Sequence, residues 1–257
     1  MSASSGPDIV QDGLVFFVDY GVKRCYRGAG NTPTDLAGFS ENLTINGFPL
    51  LSGDIGFTGE YLGGIARTGR NSPIVNTSSY INGSDIGLNS PLNMYTGGFT
   101  LECTFKPLGF ATGTYFGLEN VLLSKGPAST YNYSMQFNSS QLTFCKRTSP
   151  EGLLYSDISA TFETGSIYHC ALVINTGGDL VSGYQNGSLL GSAAVSTTNA
   201  IQPKADGTDP FYFPNAGGNN YEMNFQGVYY GAKVYNKALT TDEVKQNFNA
   251  IRSRYGL

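Results

Sequence analysis

A chain of 257 residues with no evident linker reads as one domain, because all-β sandwiches reach this size undivided. Charged residues make up 13%, about half the roughly 25% usual in soluble proteins, while 34 glycines and 17 tyrosines imply a surface of hydroxyls, amides and rings. A formal charge of -4 without a Lys/Arg cluster argues against nucleic acid as a partner, and no stretch is apolar for long enough to insert in a membrane.

Met1 to Asp8 has neither the basic start nor the apolar core of a signal peptide, so synthesis and folding in a cytoplasm are expected. Ile9 to Gly21 carries apolar residues on both faces and predicts an inner strand entered through the Asp12-Gly13 turn. Lys23 to Phe48 shows turn chemistry without a period and predicts a long ordered loop. Short strands are expected at Gly53 to Leu62 and at Tyr80-Ile81, with the Gly/Asn/Ser-rich stretch Arg67 to Ser79 arching between them.

Phe99 to Lys106 alternates cleanly, with Phe99, Leu101, Cys103 and Phe105 inward and Thr100, Glu102, Thr104 and Lys106 outward. Asn120 to Gly126, Tyr131 to Phe137 and Gln141 to Cys145 follow as strands, the last two joined by the hairpin signal Asn138-Ser139-Ser140. Gly165 to Asn175 and Ser182 to Gly191 predict two more, and Asn186-Gly187 has type I′ turn chemistry. At the end, Phe225 to Asn236 reads as a strand rich in Val and Tyr. Beyond it Val244, Phe248, Ile251 and Tyr255 share one face of a helix. Thr240 with Glu243 makes a capping box, Leu239 and Val244 hold the staple positions, and Gly256 closes the helix.

Val234-Tyr235-Asn236-Lys237-Ala238-Leu239-Thr240-Thr241-Asp242-Glu243 resembles the closing strand and turn of the laminin-G-like, concanavalin A-like lectin jelly rolls. Phe99 to Pro107 resembles another strand of that family, with Phe105 where the family usually carries Trp, and Ile167 to Val173 with the Asn186-Gly187 hairpin resembles a third. The likeness runs from about Gly53 to Ala250. It implies an all-β fold, a two-sheet antiparallel jelly-roll sandwich with a short C-terminal helix. The expected organisation is an N-terminal strand and long ordered loop over 1–52 joining a laminin-G-like jelly roll over 53–257, one domain overall.

Chemistry is sparse. Cys25, Cys103, Cys145 and Cys170 stand apart without CxxC spacing and are expected as buried free thiols. His169 is the only histidine, which excludes a metal site built on two imidazoles. The resemblance places it inside a strand, where a ring satisfied by a neighbouring backbone group is the expected state. Glucan hydrolases on this jelly roll carry an E-x-D-x-x-E strand. Here Glu102 is alone on its strand, and Asp157 and Glu163 lack a third carboxylate, so no enzyme, no catalytic residue and no cofactor is expected. Family members often hold rim calcium; Asp179, Asp206 or Asp209 could serve, but solvated turns are the plainer account and no metal is expected.

Glycan binding needs rings for stacking and amides or hydroxyls for hydrogen bonds. The candidate group is Tyr131, Tyr133, Tyr212, Asn215, Asn219, Asn220 and Tyr221; core-filling aromatics with polar turns explain the same residues. Asp12 to Gly21, Cys25 to Gly38 and Asn247 to Leu257 together resemble stand-alone virion structural proteins of tailed bacteriophages. That resemblance implies a non-enzymatic protein of the virion exterior, a capsid decoration or a tail or fibre component. Its partners would be other virion proteins, copies of itself and host surface glycans. The alternative is a free-standing carbohydrate-binding lectin or adhesin.

Overall fold

The computed structural model describes residues 8–20, 22, 24–25, 32–38, 43–46, 65–67, 80–83, 92–94, 97–110, 120–126, 132–148, 152–196, 211–213 and 225–257. The strand expected at Gly53 to Leu62 lies outside them, as do most of the arch over Arg67 to Ser79 and parts of the loop over Lys23 to Phe48.

Two antiparallel sheets of seven strands face each other. The first runs β1 (Leu14–Asp19), β14 (Gln226–Tyr235), β5 (Phe99–Gly109), β10 (Tyr168–Ile174), β11 (Leu180–Gln185) and β12 (Ser188–Ala194), with β3 (Ile65–Arg67) also on β14. The second runs β2 (Thr44–Asn46), β4 (Tyr80–Gly83), β13 (Phe211–Phe213), β6 (Asn120–Lys125), β7 (Tyr133–Phe137), β8 (Gln141–Thr148) and β9 (Gly152–Ser159). Between the sheets lies the main core, and the position of the family's usual Trp is filled by rings. Phe105 packs on Phe137 at 4.6 Å, on Phe162 and Phe225 at 5.9 Å, and on Tyr168 at 6.2 Å between centroids.

The helix α1 (Thr241–Tyr255) adds a third layer on the outer face of the first sheet. Its start is the expected capping box: Thr240 accepts from the Glu243 amide, and the Glu243 carboxylate accepts from the Thr240 amide at 2.8 Å. Gly256 ends it in the left-handed conformation. Val244 packs with Val10, Leu14, Ala171, Val173, Tyr184 and Tyr235, and Ile251 and Tyr255 pack on Val228 and Tyr230. Each such buried side chain contributes about 1.5–3 kcal/mol.

Several expectations are corrected. Among the described residues β1 is the end strand of its sheet, not an inner one. Its two apolar faces are covered by different layers, Phe16 and Val18 by the main core and Leu14 and Phe17 by the cluster under α1. Along its edge Leu36 donates its amide to the Phe17 carbonyl at 2.7 Å, and Asp35 Oδ1 accepts from the Phe17 amide at 2.9 Å. A loop thus pairs with the edge that would otherwise be a template for other chains. Thr44–Asn46 is a strand within the expected loop. Thr100, Glu102 and Thr104 face outward on β5 yet are buried, because α1 and the segment before β1 lie over that face. On α1 the fully buried stripe is Val244, Asn247, Ile251 and Tyr255; Phe248 is only half-buried, against the His169 ring. Finally, Phe211–Phe213 is a strand inside the second sheet and not a rim loop.

Candidate functional site

The four cysteines are buried and free, and Asn186 and Gly187 take φ of 50° and 75°, the pair of positive values that a type I′ turn needs. Asp179 is exposed and tied into its own loop, where Oδ1 accepts from the Asn175 amide at 2.7 Å. Asp206 and Asp209 lie outside the described residues. No group of three His, Cys, Asp or Glu side chains able to hold a metal occurs among the described residues.

Of the residues expected to meet a glycan, Tyr131, Asn215, Asn219, Asn220 and Tyr221 lie outside the described residues. Tyr133 is inside the sandwich, its ring 5.4 Å from that of Phe99 and its hydroxyl donating to the Leu92 carbonyl at 2.7 Å. It therefore offers nothing to a solvent ligand. The strand alternation explains this: Tyr133, Met135 and Phe137 point inward with Phe144 and Leu142 opposite them, and Ser134 and Gln136 point out. Tyr212 does point out, between Phe211 and Phe213 of the core, but only 8% of it is exposed.

The outer face of the second sheet is a polar ladder. One cross-strand row runs Tyr212, Ser124, Ser134, Cys145, Tyr155, and the next runs Gln136, Thr143, Asp157. Its middle is buried and internally bonded, with Gln136 Nε2 donating to Ser134 Oγ at 2.7 Å. Its margin on β9 is open: Tyr155 is 39% exposed, and Asp157 and Ser159 on the same face are exposed too. Thr143 Oγ1 donates to Asp157 Oδ1 at 2.8 Å and orients the carboxylate, and Arg147 lies half-buried one row beyond Tyr155. A ring beside an oriented acceptor and a forked donor can stack on the apolar face of a sugar and bond its hydroxyls. Sequence reasoning missed this group because it named Asp157 only as a carboxylate lacking partners. The available signal was limited to Tyr155 and Asp157 at alternate positions of Gly152–Ser159, a strand whose period is blurred by polar residues on both faces.

A second polar constellation is closed off under α1. Glu102 is fully buried; Oε2 faces Lys233 Nζ at 3.0 Å and His169 Nε2 at 3.4 Å, and Oε1 accepts from Asn247 Nδ2 at 2.8 Å. Burial pushes its carboxyl up, but Lys233, His169 and Asn247 outweigh burial and hold it at about 2. Burial lowers the His169 pKa against the opposing pull of Glu102, so the ring is neutral at neutral pH. The ring is satisfied on that side by a carboxylate, not by backbone as expected, and Nδ1 has no hydrogen-bond partner among the described residues.

The comparisons with known proteins bear on the fold. No curated protein sequence matches the chain. The binding domain of Paraclostridial Mosquitocidal Protein 1 superposes with a TM-score of 0.62 at 19% identity, covering 93% of this chain and 52% of that one. Trypanosoma rangeli sialidase in complex with sialic acid superposes with a TM-score of 0.60 at 14% identity, covering 98% of this chain and 36% of that one. The chain thus spans about half of the toxin domain and about a third of the sialidase, and at these identities the likeness is one of fold. A profile of the concanavalin A-like lectin/glucanases superfamily matches residues 76–245, two thirds of the sequence, and the chain belongs to that superfamily.

Proposed function

We propose that this chain is a non-enzymatic, lectin-like docking module that meets glycans on the outer face of its second sheet, at the β9 margin. The observation that carries the reading is Tyr155, an aromatic ring 39% exposed in the middle of a strand whose same-face neighbour Asp157 is already oriented by Thr143. A carboxylate has about four lone-pair sites and Thr143 uses one, so sugar hydroxyls have acceptors beside the ring. Catalysis forms no part of the reading. Glu102, the carboxylate of the long strand β5, is committed to three partners beneath α1 and faces away from this surface.

The setting we assign is the exterior of a bacteriophage particle, as a capsid decoration or a tail or fibre component among other virion proteins and copies of itself. What supports it is the resemblance of Asp12 to Gly21, Cys25 to Gly38 and Asn247 to Leu257 to stand-alone phage proteins. A free-standing lectin or adhesin would use the same surface in a different setting.

Two measurements test this. Glycan-array binding by the isolated protein should occur at micromolar strength, and Tyr155→Ala should weaken it at least tenfold while leaving the unfolding midpoint in place. Binding unchanged in Tyr155→Ala, or no binding by either protein, overturns the glycan site. Mass spectrometry of purified particles should find the chain in many stoichiometric copies, and its absence from them removes the virion setting.

A further inference from the structure

We propose that α1 and the segment before β1 form an acid-released latch over the first sheet, with His169 as its proton-sensing group. The latch is a set of bonds that join the two ends of the described chain through the helix. Asn247 Oδ1 accepts from the Val10 amide at 2.8 Å, Tyr235 donates its hydroxyl to the Val10 carbonyl at 3.2 Å, and Gln246 Nε2 donates to the Asp8 carbonyl at 2.7 Å. Lys237 bridges Asp12 at 2.6 Å and Glu243 at 2.8 Å, and Arg254 pairs with Asp19 near the far end of the helix.

Beneath this cover lies the Glu102, Lys233 and His169 cluster, which the docked helix and the segment before β1 seal from water. Among the described residues, β5 brings Glu102 to the histidine ring and β14 brings Lys233, with Tyr235 behind Asn247. Asn186, in the turn between β11 and β12, binds the His169 amide, and α1 contributes the neutral Asn247 and Phe248. Glu102 therefore already has its counter-charge in Lys233, and a proton on His169 would add a second cation to a sealed site holding one carboxylate. Burial disfavours that proton while the helix is docked, and an undocked ring returns to its ordinary pKa near 6.5. Undocking then takes up one proton per chain. Linkage makes the undocked fraction rise by up to about tenfold for each pH unit below about 6.5. The same event loosens the N-terminal segment, because Asn247 and Gln246 supply two of its bonds while Tyr235 and Lys237 supply the others.

Because His169 is the only histidine, its ring signals in a nuclear magnetic resonance titration of the full chain belong to no other residue. The ring should titrate with the same midpoint at which amides of 241–255 lose hydrogen-exchange protection, corrected for intrinsic rates, while amides of β6, β7 and β8 keep theirs. His169→Gln should abolish the pH dependence of helix protection, and Glu102→Gln should retain it. The idea is overturned if the ring titrates freely near 6.5 without change in the helix. It is equally overturned if helix and β6–β8 lose protection together, or if His169→Gln leaves the pH dependence intact. Should His169→Gln not fold, the wild-type comparison of ring and helix midpoints decides alone.

Discussion

At the scale of single residues, Asn247 shows how one amide can organise two surfaces. Its oxygen accepts from Val10, and its nitrogen donates to Glu102 at 2.8 Å and to the Tyr235 hydroxyl at 2.9 Å, all of them buried. Asn247→Leu fits the apolar stripe around it but orphans the Val10 amide and one Glu102 oxygen. Leaving a buried group unpaired costs about 1–3 kcal/mol each, so urea unfolding should register a loss of about 2–6 kcal/mol. Gln246→Ala, one residue away with an exposed bond to Asp8, should fall within about 0.5 kcal/mol of wild type. This residue was not legible in the sequence. A search for apolar periodicity finds Val244, Ile251 and Tyr255 and takes Phe248 as the fourth member, although steps of three and four equally select Asn247. What makes Asn247 necessary is Glu102, 145 positions earlier, and no local pattern reports that pairing. The same distance hides the reverse inference, that the outward Glu102 would be sealed under a helix.

At the scale of elements, what could be read in advance divides by length and by which faces are covered. Strands β5, β7, β10 and β14 alternate over five or more residues, and the turn at Asn186-Gly187 and the cap at Thr240 are chemical signals, so these were legible. The three-residue strands β2, β3 and β13 are too short to show a period, and pairing partners impose their extended form. β9 went unread because its inward residues, Leu154, Ser156 and Ile158, mix polar with apolar. The junction of β1 with β14 has its own constraint. A Cβ on Gly231 would stand 2.4 Å from the Val18 carbonyl oxygen, which is backbone of the paired strand and has no rotamer to move. Gly231→Val should therefore pry β1 from β14 and cost about 3 kcal/mol, the upper part of the usual overpacking range. Hydrogen exchange checks it: amides of 14–19 should lose protection before those of β6 to β8. Equal protection in variant and wild type would mean that the backbone makes room for the side chain with β1 still paired to β14.

For the whole molecule, the consequence of placing ionised groups between a sheet and a helix is a dependence of stability on pH whose sign follows from two residues. Glu102 is held at about 2 when folded, against an ordinary value of 4.5. The unfolded chain takes up this proton first as pH falls, so the contribution is complete above about 4.5 and is lost progressively down to about 2. A gap of that width corresponds to about 3 kcal/mol. His169 acts in the same direction at higher pH: the folded ring resists a proton that the unfolded ring accepts below about 6.5, so stability rises with pH there as well. The acid limb should accordingly have two parts, a shallow one starting near pH 6.5 and a steeper one below 4.5. Chemical unfolding at a series of pH values from 7.5 to 2.5 measures both. Glu102→Gln should be less stable at neutral pH because Lys233 loses its counter-ion under the helix, yet it should lack the lower part of the limb. A Glu102→Gln protein that keeps the wild-type slope below pH 4.5 would place the acid sensitivity on other carboxylates. The helix layer would then be a passive cover, held by Val244, Ile251 and Tyr255 and indifferent to the charge beneath it.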